Sequence, residues 1–324
     1  MFRTLLLVIC LASALWSSDA GSALADGSTT IAADVGARAW PPAHPPSSMS
    51  LHALLTGQTF ARAAMAYSGG ALGEKRVFSQ GAILIRHPAG NLLIDSGFGK
   101  DAEAHFRTTP WLMQQFSGIR RLTPVSAQLR AAGIDPRMLF GVVLTHAHWD
   151  HVSGLADLPG VPVYTNQSEL AFIRSGDESA SLAQQLGLES YRVYPFEGGP
   201  YLGFSQSHDM FDDGSVVLVP APGHTPGSIV IFVNTPDARH YALIGDLVWQ
   251  LEGIDQVLPK PWFVRRRVDA DADATLAMIE RLHALKVSLP TLVVVPAHDA
   301  RVWQTLPKLV APSVATPTDS KSRD

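Results

Sequence analysis

Three histidines and an aspartate are crowded into six residues directly after an apolar run. The run, Phe140–Thr145, predicts a buried strand, and residues 146–151 then read His-Ala-His-Trp-Asp-His. In a chain with 12 histidines and 29 acidic residues, this HxHxDH pattern is rare by chance. The fold must therefore place the carboxyl end of this strand where several ligand-type side chains can converge. We call residues 146–151 the histidine loop.

The spacing within the histidine loop suits two metal ions rather than one. His146 and His148 alternate, so both can point to one side of the loop and share an ion. Asp150 and His151 lie just past the bend and can reach a second ion. Two-metal hydrolases hold their ions about 3.5–4 Å apart, so one short loop can begin both sites.

Three later residues of ligand type complete this pattern. Each follows an apolar run and lies in a turn flanked by glycine or proline: His224, Asp246 and His298. We expect His224 to complete the first site and His298 the second, with Asp246 between them, since a carboxylate can bind one ion with each oxygen. Imidazole and carboxylate ligands without thiolate suit Zn²⁺ best, with iron, manganese or cobalt as alternatives.

Composition limits the class of protein and the chemistry available to it. The 324 residues are 46% hydrophobic and 17% charged, which is typical of a globular chain, and a net charge of -4 gives no reason to expect a nucleic-acid partner. The single cysteine, Cys10, lies in an apolar N-terminal stretch. If that stretch is removed, no thiol remains, and the metal ligands must be histidines and carboxylates.

The ends of the chain differ in character from its middle. Residues 1–25 carry Arg3, a short apolar run and an Ala-Leu-Ala ending, so they are interpreted as a secretory signal peptide. A membrane anchor is the alternative, but the run is short for a span, and no stable membrane insertion is expected after cleavage. We therefore expect a periplasmic or secreted protein. Residues 26–50 form an Ala/Pro/Ser-rich tail or linker, 51–310 the folded domain and 311–324 a polar C-terminal tail.

Between these ends the pattern alternates between strands and helices. Two short β-type runs, Gly81–Arg86 and Asn91–Asp95, flank a turn, and a helix is predicted from Thr123-Pro124 to Gly133. The remaining elements are predicted as strands at 161–164, 215–220, 228–234, 241–244 and 292–295, and as helices at 167–174 and 269–286. Two β-rich halves, each contributing ligands from loops at strand ends, are the expected architecture.

The ligand motifs resemble those of the metallo-β-lactamase superfamily. The resemblance covers about residues 51–310 and rests on the histidine loop, Gly223-His224-Thr225-Pro226-Gly227, Gly245-Asp246 and Pro296-Ala297-His298-Asp299. It implies an α+β fold, an αββα sandwich of two β-sheets flanked by helices with the metal site at one edge. It also implies the ligand sets already described: His146, His148 and His224 for one ion, Asp150, His151 and His298 for the other, and Asp246 bridging.

Departures from family patterns narrow the implied activity. The chain is similar to N-acyl-homoserine-lactone lactonases and related exported organophosphate hydrolases, whereas class B3 β-lactamases lack the aspartate present here as Asp246. The implied reaction is the opening of a lactone or small ester by a hydroxide that bridges two divalent ions, with Asp150 as the catalytic acid and base. The alternatives are an organophosphate triester hydrolase, a β-lactamase, and a metal-containing binding module without turnover.

Substrate contacts are harder to predict than metal ligands. In related lactonases a tyrosine lies near the substrate carbonyl, which makes Tyr194 a candidate, and Trp149 lies within the histidine loop. Aromatic residues at such positions more often serve packing, and that is the alternative for both. Apolar residues around Trp249–Leu258 and Trp262-Phe263 could line an acyl-chain pocket. We also expect Asp95, Thr225 and Asp299 either to orient ligand histidines or to serve in turns, and residues 26–50 could act as the arm of a homodimer.

Overall fold

The computed structural model describes residues 39–107, 109, 114–115, 117–187 and 191–310. The predicted signal peptide, residues 26–38 of the predicted linker and the C-terminal tail from residue 311 lie outside these ranges. Among the described residues, no helix combines the length and apolarity required to cross a membrane.

The first β-sheet has seven strands and carries the histidine loop. Its strands are β1 (Ser50–Arg62), β2 (Lys75–Arg86), β3 (Asn91–Ile94), β4 (Gly118–Arg121), β5 (Leu139–Val143), β6 (Val163–Thr165) and β7 (Tyr191–Val193), in the order β4-β1-β2-β3-β5-β6-β7. The pairs from β4 to β3 are antiparallel, whereas β3, β5, β6 and β7 run parallel. The parallel strands β3, β5 and β6 are largely buried on both faces, because helices cover one face and the second sheet covers the other, whereas the edge strand β7 exposes Arg192 and Val193.

The second β-sheet has five strands and carries the other three ligands. Its strands are β8 (His208–Asp209), β9 (Val216–Pro220), β10 (Ile229–Asn234), β11 (His240–Leu243) and β12 (Leu292–Val295), in the order β12-β11-β10-β9-β8. Only the β11–β12 pair is parallel. Their carboxyl ends therefore lie side by side, and the ligands Asp246 and His298 follow from neighbouring positions.

Helices cover the outer faces of both sheets. They are α1 (Ala63–Ala66), α2 (Ala102–Phe106), α3 (Val125–Ala131), α4 (Trp149–Val152), α5 (Gln167–Arg174), α6 (Ser181–Gln185), α7 (Glu252–Asp255), α8 (Trp262–Val268), α9 (Ala272–Ser288) and α10 (Ala300–Thr305). The Asp271 side chain caps α9 by accepting hydrogen bonds from the backbone N–H groups of Asp273 and Ala274. Ile279, Leu282 and Leu285 then pack on the second sheet.

The inner faces of the two sheets pack against each other to form the central core. Ile94 and Val143 of the first sheet share one buried cluster with Leu218, Ile231 and Leu243 of the second. Separate clusters lie between each sheet and its own helices. The layer order is helix, sheet, sheet, helix, which confirms the αββα sandwich predicted from the sequence.

Local differences from the sequence-based elements have simple causes. The strand β1 extends over 13 residues and was not predicted, because small and polar residues interrupt its apolar pattern. The helix predicted to start at Thr123-Pro124 begins at Val125, with Pro124 in the capping position. Near the start of the described chain, the Trp40 indole stacks on His240 with ring centroids 3.8 Å apart. Residues 39–49 of the predicted linker therefore include a segment in contact with the second sheet.

Candidate metal centre

Loops and the short helix α4, at the carboxyl ends of four strands, bring the seven predicted ligands together. The histidine loop follows β5, His224 follows β9, Asp246 follows β11 and His298 follows β12. Three groups of side chains have candidate ligand atoms within 4.8 Å of one another: His146, His148 and His224; His146, His151 and Asp246; and Asp150, His151 and His298. The first sheet supplies four of these residues and the second sheet three.

Backbone hydrogen bonds between loops hold these strand ends in place. The Ile229 N–H donates to the Thr145 carbonyl at 3.1 Å, which joins the two sheets beside the histidine loop. The Asp271 N–H donates to the Gly223 carbonyl at 2.8 Å, so the start of α9 holds the His224 turn. Gly223 has a φ of 145°, and a Cβ there would lie 2.5 Å from the Thr275 nitrogen. Only glycine fits this close approach.

The Nδ1 atoms of four ligand histidines bond to oxygen atoms that orient the rings. His151 donates to the Asp95 carboxylate at 2.8 Å, His224 to the Asp269 carboxylate at 2.8 Å and His298 to the Ser79 carbonyl at 2.7 Å. His146 lies 3.1 Å from the Thr145 hydroxyl, which itself donates to Asp95. A proton on each Nδ1 leaves the opposite nitrogen, Nε2, unprotonated and able to bind a metal ion.

The surroundings of the Nε2 atoms are those expected of metal ligands. In His146, His151 and His224 this atom is buried and has no hydrogen-bond partner within the described part of the chain. A buried nitrogen without a partner costs free energy, and a bound cation removes that cost. The donor set of imidazole nitrogens and carboxylate oxygens fits two divalent ions, as the motif predicts.

Asp246 lies between the two groups. One carboxylate oxygen, Oδ1, is 2.9 Å from His298 Nε2 and 3.3 Å from His151 Nε2. The other, Oδ2, is 3.7 Å from His224 Nε2. Oδ2 is also 3.1 Å from His298 Nε2, so the carboxylate as a whole lies within reach of both groups, as a bridging ligand requires.

Asp95 holds the histidine loop through both carboxylate oxygens. Oδ1 accepts from the Thr145 N–H at 2.7 Å, and Oδ2 accepts from the Thr145 hydroxyl as well as from His151. Asp95 has a φ of 58°, a left-handed conformation that aspartate tolerates better than most side chains. Asp95 therefore orients a ligand histidine from a strained backbone position, as is common at functional sites.

Thr225 and Asp299 do not contact a ligand imidazole in this way. Thr225 donates to Glu169 at 2.7 Å, and Asp299 accepts from the backbone of Leu251 and from Arg301. Thr225 supports the turn that contains His224, and Asp299 connects the His298 loop to the segment after Asp246. Their effect on the ligands is through the backbone.

Glu169 is a central residue that the sequence did not single out. Its buried carboxylate accepts from the Ala147 N–H at 2.6 Å, the Gly227 N–H at 3.0 Å and the Thr225 hydroxyl. Burial raises its pKa to about 7, although these three donors oppose the shift. Glu169 thereby ties the histidine loop to the His224 turn. An acidic residue on the α5 face that also carries Leu170 and Ile173 was the available signal.

Lys260 and Asp269 form a second unpredicted feature behind His224. Lys260 Nζ lies 2.7 Å from Asp269 Oδ1, and its side chain is 0% exposed. The same Oδ1 accepts from His224 Nδ1. Of the two acidic residues before α9, Asp271 caps the helix with its side chain, whereas Asp269 faces the metal centre. Two acids so close together were a signal that one had another role.

The carboxylates make the two groups electrostatically different. Burial, assisted by the neighbouring imidazoles, lowers the pKa of His146 well below its ordinary value. Burial also opposes protonation of His151, but the carboxylates of Asp95, Asp246 and Asp150 together raise its pKa well above the ordinary value. The pKa of His298 is raised in the same way, chiefly by Asp246. The electrostatic potential around His151 and His298 is therefore negative, which favours a bound cation there.

The two predicted substrate residues lie in packed surroundings. Trp149 is 9% exposed, and its ring packs 5.2 Å from Phe98 and 5.6 Å from Phe106. Tyr194 is 4% exposed and stacks on His208 at 5.0 Å. These positions favour packing roles, and contact with substrate stays a prediction for both residues.

Comparisons with known proteins agree with this geometry. Residues 76–298 match the family described as the metallo-beta-lactamase superfamily. The probable metallo-hydrolase Rv2300c of Mycobacterium tuberculosis is 26% identical over 244 residues, covering 68% of this chain and 75% of the relative. The N-acyl homoserine lactonase AttM of Azorhizobium caulinodans is 25% identical over 250 residues, covering 69% and 83%.

A solved structure shares the fold at low sequence identity. It is an N-acyl homoserine lactone hydrolase with the product N-hexanoyl-L-homoserine bound at its catalytic metal centre, and it superposes with a TM-score of 0.63 at 17% identity. The superposition covers 80% of this chain and 96% of that one. With its family match, its sandwich fold and its converging ligand set, this chain belongs to the metallo-beta-lactamase superfamily and is a metal-dependent hydrolase.

Proposed function

We propose that the protein opens the ring of N-acyl homoserine lactones, using two Zn²⁺ ions. Aromatic rings beside the ligand histidines carry the proposal. Phe78 lies 6.4 Å from the His298 ring and 5.9 Å from Trp249, and Phe172 lies 6.2 Å from the His148 ring. Phe78 is buried, but Phe172 and Trp249 are partly exposed, so apolar surface adjoins the polar reaction centre, which suits an ester with an acyl chain. The similarity to AttM supports the same substrate class.

The chain's own residues divide the work of ester hydrolysis. When bound, two divalent ions would act as Lewis acids towards the ester carbonyl and make water a stronger nucleophile near neutral pH. Asp150 Oδ2 lies 3.4 Å from His298 Nε2, which fixes its carboxylate beside the second ligand group. We assign to the Asp150 carboxylate the proton that leaves the attacking water and returns to the alkoxide leaving group. No serine or cysteine nucleophile is required.

A substrate panel tests this assignment directly. Purified protein loaded with Zn²⁺ is offered N-hexanoyl homoserine lactone, paraoxon, nitrocefin and a thioester, and each product is measured by chromatography or absorbance. We expect the lactone to be consumed with the highest kcat/KM. A preference for paraoxon would support organophosphate hydrolysis instead, and turnover of none of the four with two ions bound would reject the proposal in favour of a binding module.

Ligand variants test the metal centre itself. Asp246→Ala removes the carboxylate shared by both groups, so we expect fewer than two ions per chain and a loss of activity of at least 1,000-fold, on the order of the effect of losing essential catalytic groups. Glu280→Ala, an exposed position on α9, is the matched control. Retained activity after complete removal of metal by a chelator would contradict a metal-dependent reaction.

We also propose that the protein acts outside the cytoplasm. The support is the charged start, short apolar run and Ala-Leu-Ala ending of residues 1–25. Expression of the full chain in a bacterium, followed by fractionation and mass measurement, should give a periplasmic product shortened by about 25 residues, the length of a typical signal peptide. An uncut cytoplasmic product would contradict export.

A further inference from the structure

The two ligand groups differ in the charge behind their histidines. His151 is backed by Asp95, whose other hydrogen-bond donors are the neutral N–H and hydroxyl of Thr145. His224 is backed by Asp269, but there the same carboxylate oxygen also accepts from Lys260 Nζ at 2.7 Å. The negative charge of Asp95 is therefore not compensated by Thr145, whereas Lys260 compensates the negative charge of Asp269.

The surroundings of Lys260 keep its ammonium group in contact with Asp269. Its side chain is fully buried, and burial of an ammonium group is costly unless the group is paired. Nζ also donates to the Leu247 carbonyl at 3.3 Å and lies 5.6 Å from the centre of the Trp249 ring, and both contacts stabilise the charge. Nζ lies 3.4 Å from His224 Nδ1 as well, so Asp269 is placed between two positive or proton-bearing nitrogens. The adjacent backbone is anchored too, because the Ser68 N–H donates to the Pro259 carbonyl at 2.8 Å.

The ligand sets increase this asymmetry. His146, His148 and His224 are three neutral imidazoles, whereas the group of Asp150, His151 and His298 includes a carboxylate. Asp246 is shared by both. An anionic partner makes an imidazole a stronger ligand, and a cation beside that partner cancels much of the effect.

We propose that Lys260 is a positioning residue that acts through Asp269 to weaken His224 as a ligand. The ion bound by His146, His148 and His224 is then held less tightly than the ion bound by Asp150, His151 and His298. Lys260 sets this difference without touching either ion or the substrate. The inference concerns ion binding and is independent of which ester the protein hydrolyses.

The test measures release of Zn²⁺ against increasing chelator, with the metal content and thermal midpoint of each variant recorded. The wild type should lose its ions in two steps. Lys260→Met leaves Asp269 uncompensated, so the weaker site should bind about tenfold more tightly and the two steps should converge. Asp269→Asn leaves Lys260 uncompensated beside His224, so the weaker site should bind about tenfold less tightly.

The double variant Lys260→Met/Asp269→Asn separates charge compensation from structural support. Because it removes both charges, its weaker site should return to within about threefold of the wild type, well inside the tenfold effect of either single change. Lys260→Arg should resemble the wild type, and Lys75→Met, at an exposed lysine in β2, is the control. If Lys260→Met fails to fold, the comparison of Asp269→Asn with the double variant decides. The proposal would be overturned if Asp269→Asn and the double variant lost both ions equally. It would also be overturned if both variants released Zn²⁺ as the wild type does.

Discussion

The indole Nε1 of Trp249 donates a hydrogen bond to Oδ2 of Asp246 at 2.8 Å. This contact joins the residue that lies between the two ligand groups to a partly exposed aromatic ring. The sequence suggested Trp249 only as a wall of an apolar pocket, but the indole N–H also orients the bridging carboxylate. One side chain thus connects metal binding with the apolar surface proposed for the acyl chain.

Replacing Trp249 by phenylalanine should separate these two roles. Trp249→Phe keeps an aromatic ring near Phe78 but removes the N–H donor, so we expect metal affinity or kcat/KM to fall by about 10-fold, since partners of metal ligands contribute 10- to 100-fold. Trp40→Phe is the matched control, because it removes an indole N–H that donates to Thr291. Equal effects of the two substitutions would refute a specific role for Trp249.

Tyr194 can be assigned to packing or to catalysis by removing its hydroxyl. That hydroxyl is buried and makes no hydrogen bond of ordinary geometry with the described residues. Burial raises its pKa above the ordinary value. Tyr194→Phe should therefore leave the free energy of unfolding unchanged or raise it by up to about 1 kcal/mol, with kcat/KM unaffected. A 100-fold fall in kcat/KM with an unchanged fold would establish the catalytic role suggested by the sequence.

Glu169 should be among the most important structural residues near the centre. Glu169→Ala leaves the Ala147 and Gly227 N–H groups and the Thr225 hydroxyl without their acceptor. We expect the free energy of unfolding to fall by about 3 kcal/mol, because each buried polar group without a partner costs about 1–3 kcal/mol. Urea denaturation measures this change. Ser168→Ala, at an exposed neighbour on α5, should change stability by less than about 0.5 kcal/mol.

The cluster of Glu252, Arg76 and Arg301 should stabilise the fold in a pH-dependent way. Arg301 lies 2.6 Å and Arg76 2.8 Å from the Glu252 carboxylate. Although partial burial opposes ionisation, hydrogen bonds and charge from Arg301 and Arg76 lower the pKa of Glu252 to about 2, against an ordinary 4.5. The stabilisation is therefore present above pH 4.5 and is lost as the pH falls towards 2.

Glu252→Gln measures that contribution. After allowance for solvent screening, we expect the variant to be about 1 kcal/mol less stable than the wild type at pH 7, with the difference shrinking below pH 4.5. Glu280→Gln, at an exposed position on α9, is the control. A difference that stays constant between pH 6 and pH 3 would contradict this pKa and its cause.

Local patterns were sufficient to predict which candidate ligands converge and about half of the described strands and helices. The apolar runs at β5, β10 and β12 appear in the structure within two residues of their predicted bounds, because burial between two layers requires continuous apolar sequence. The strand β1 was missed, since a long antiparallel strand, paired with β4 over only four of its residues, can include polar and small residues. Its pairing with β2 is a property of the sheet and not of its own sequence.

The sequence alone determined which side chains can bind metal ions, because ligand chemistry and spacing within a loop are local properties. Only the tertiary structure decided what lies behind each ligand. Asp95 is 56 residues from His151, Asp269 is 45 residues from His224, and Glu169 is 56 residues from Thr225. Their carboxylates meet these partners because two sheets and two helices pack around one edge. The charge difference between the two ligand groups therefore arises from long-range packing, which no local pattern encodes.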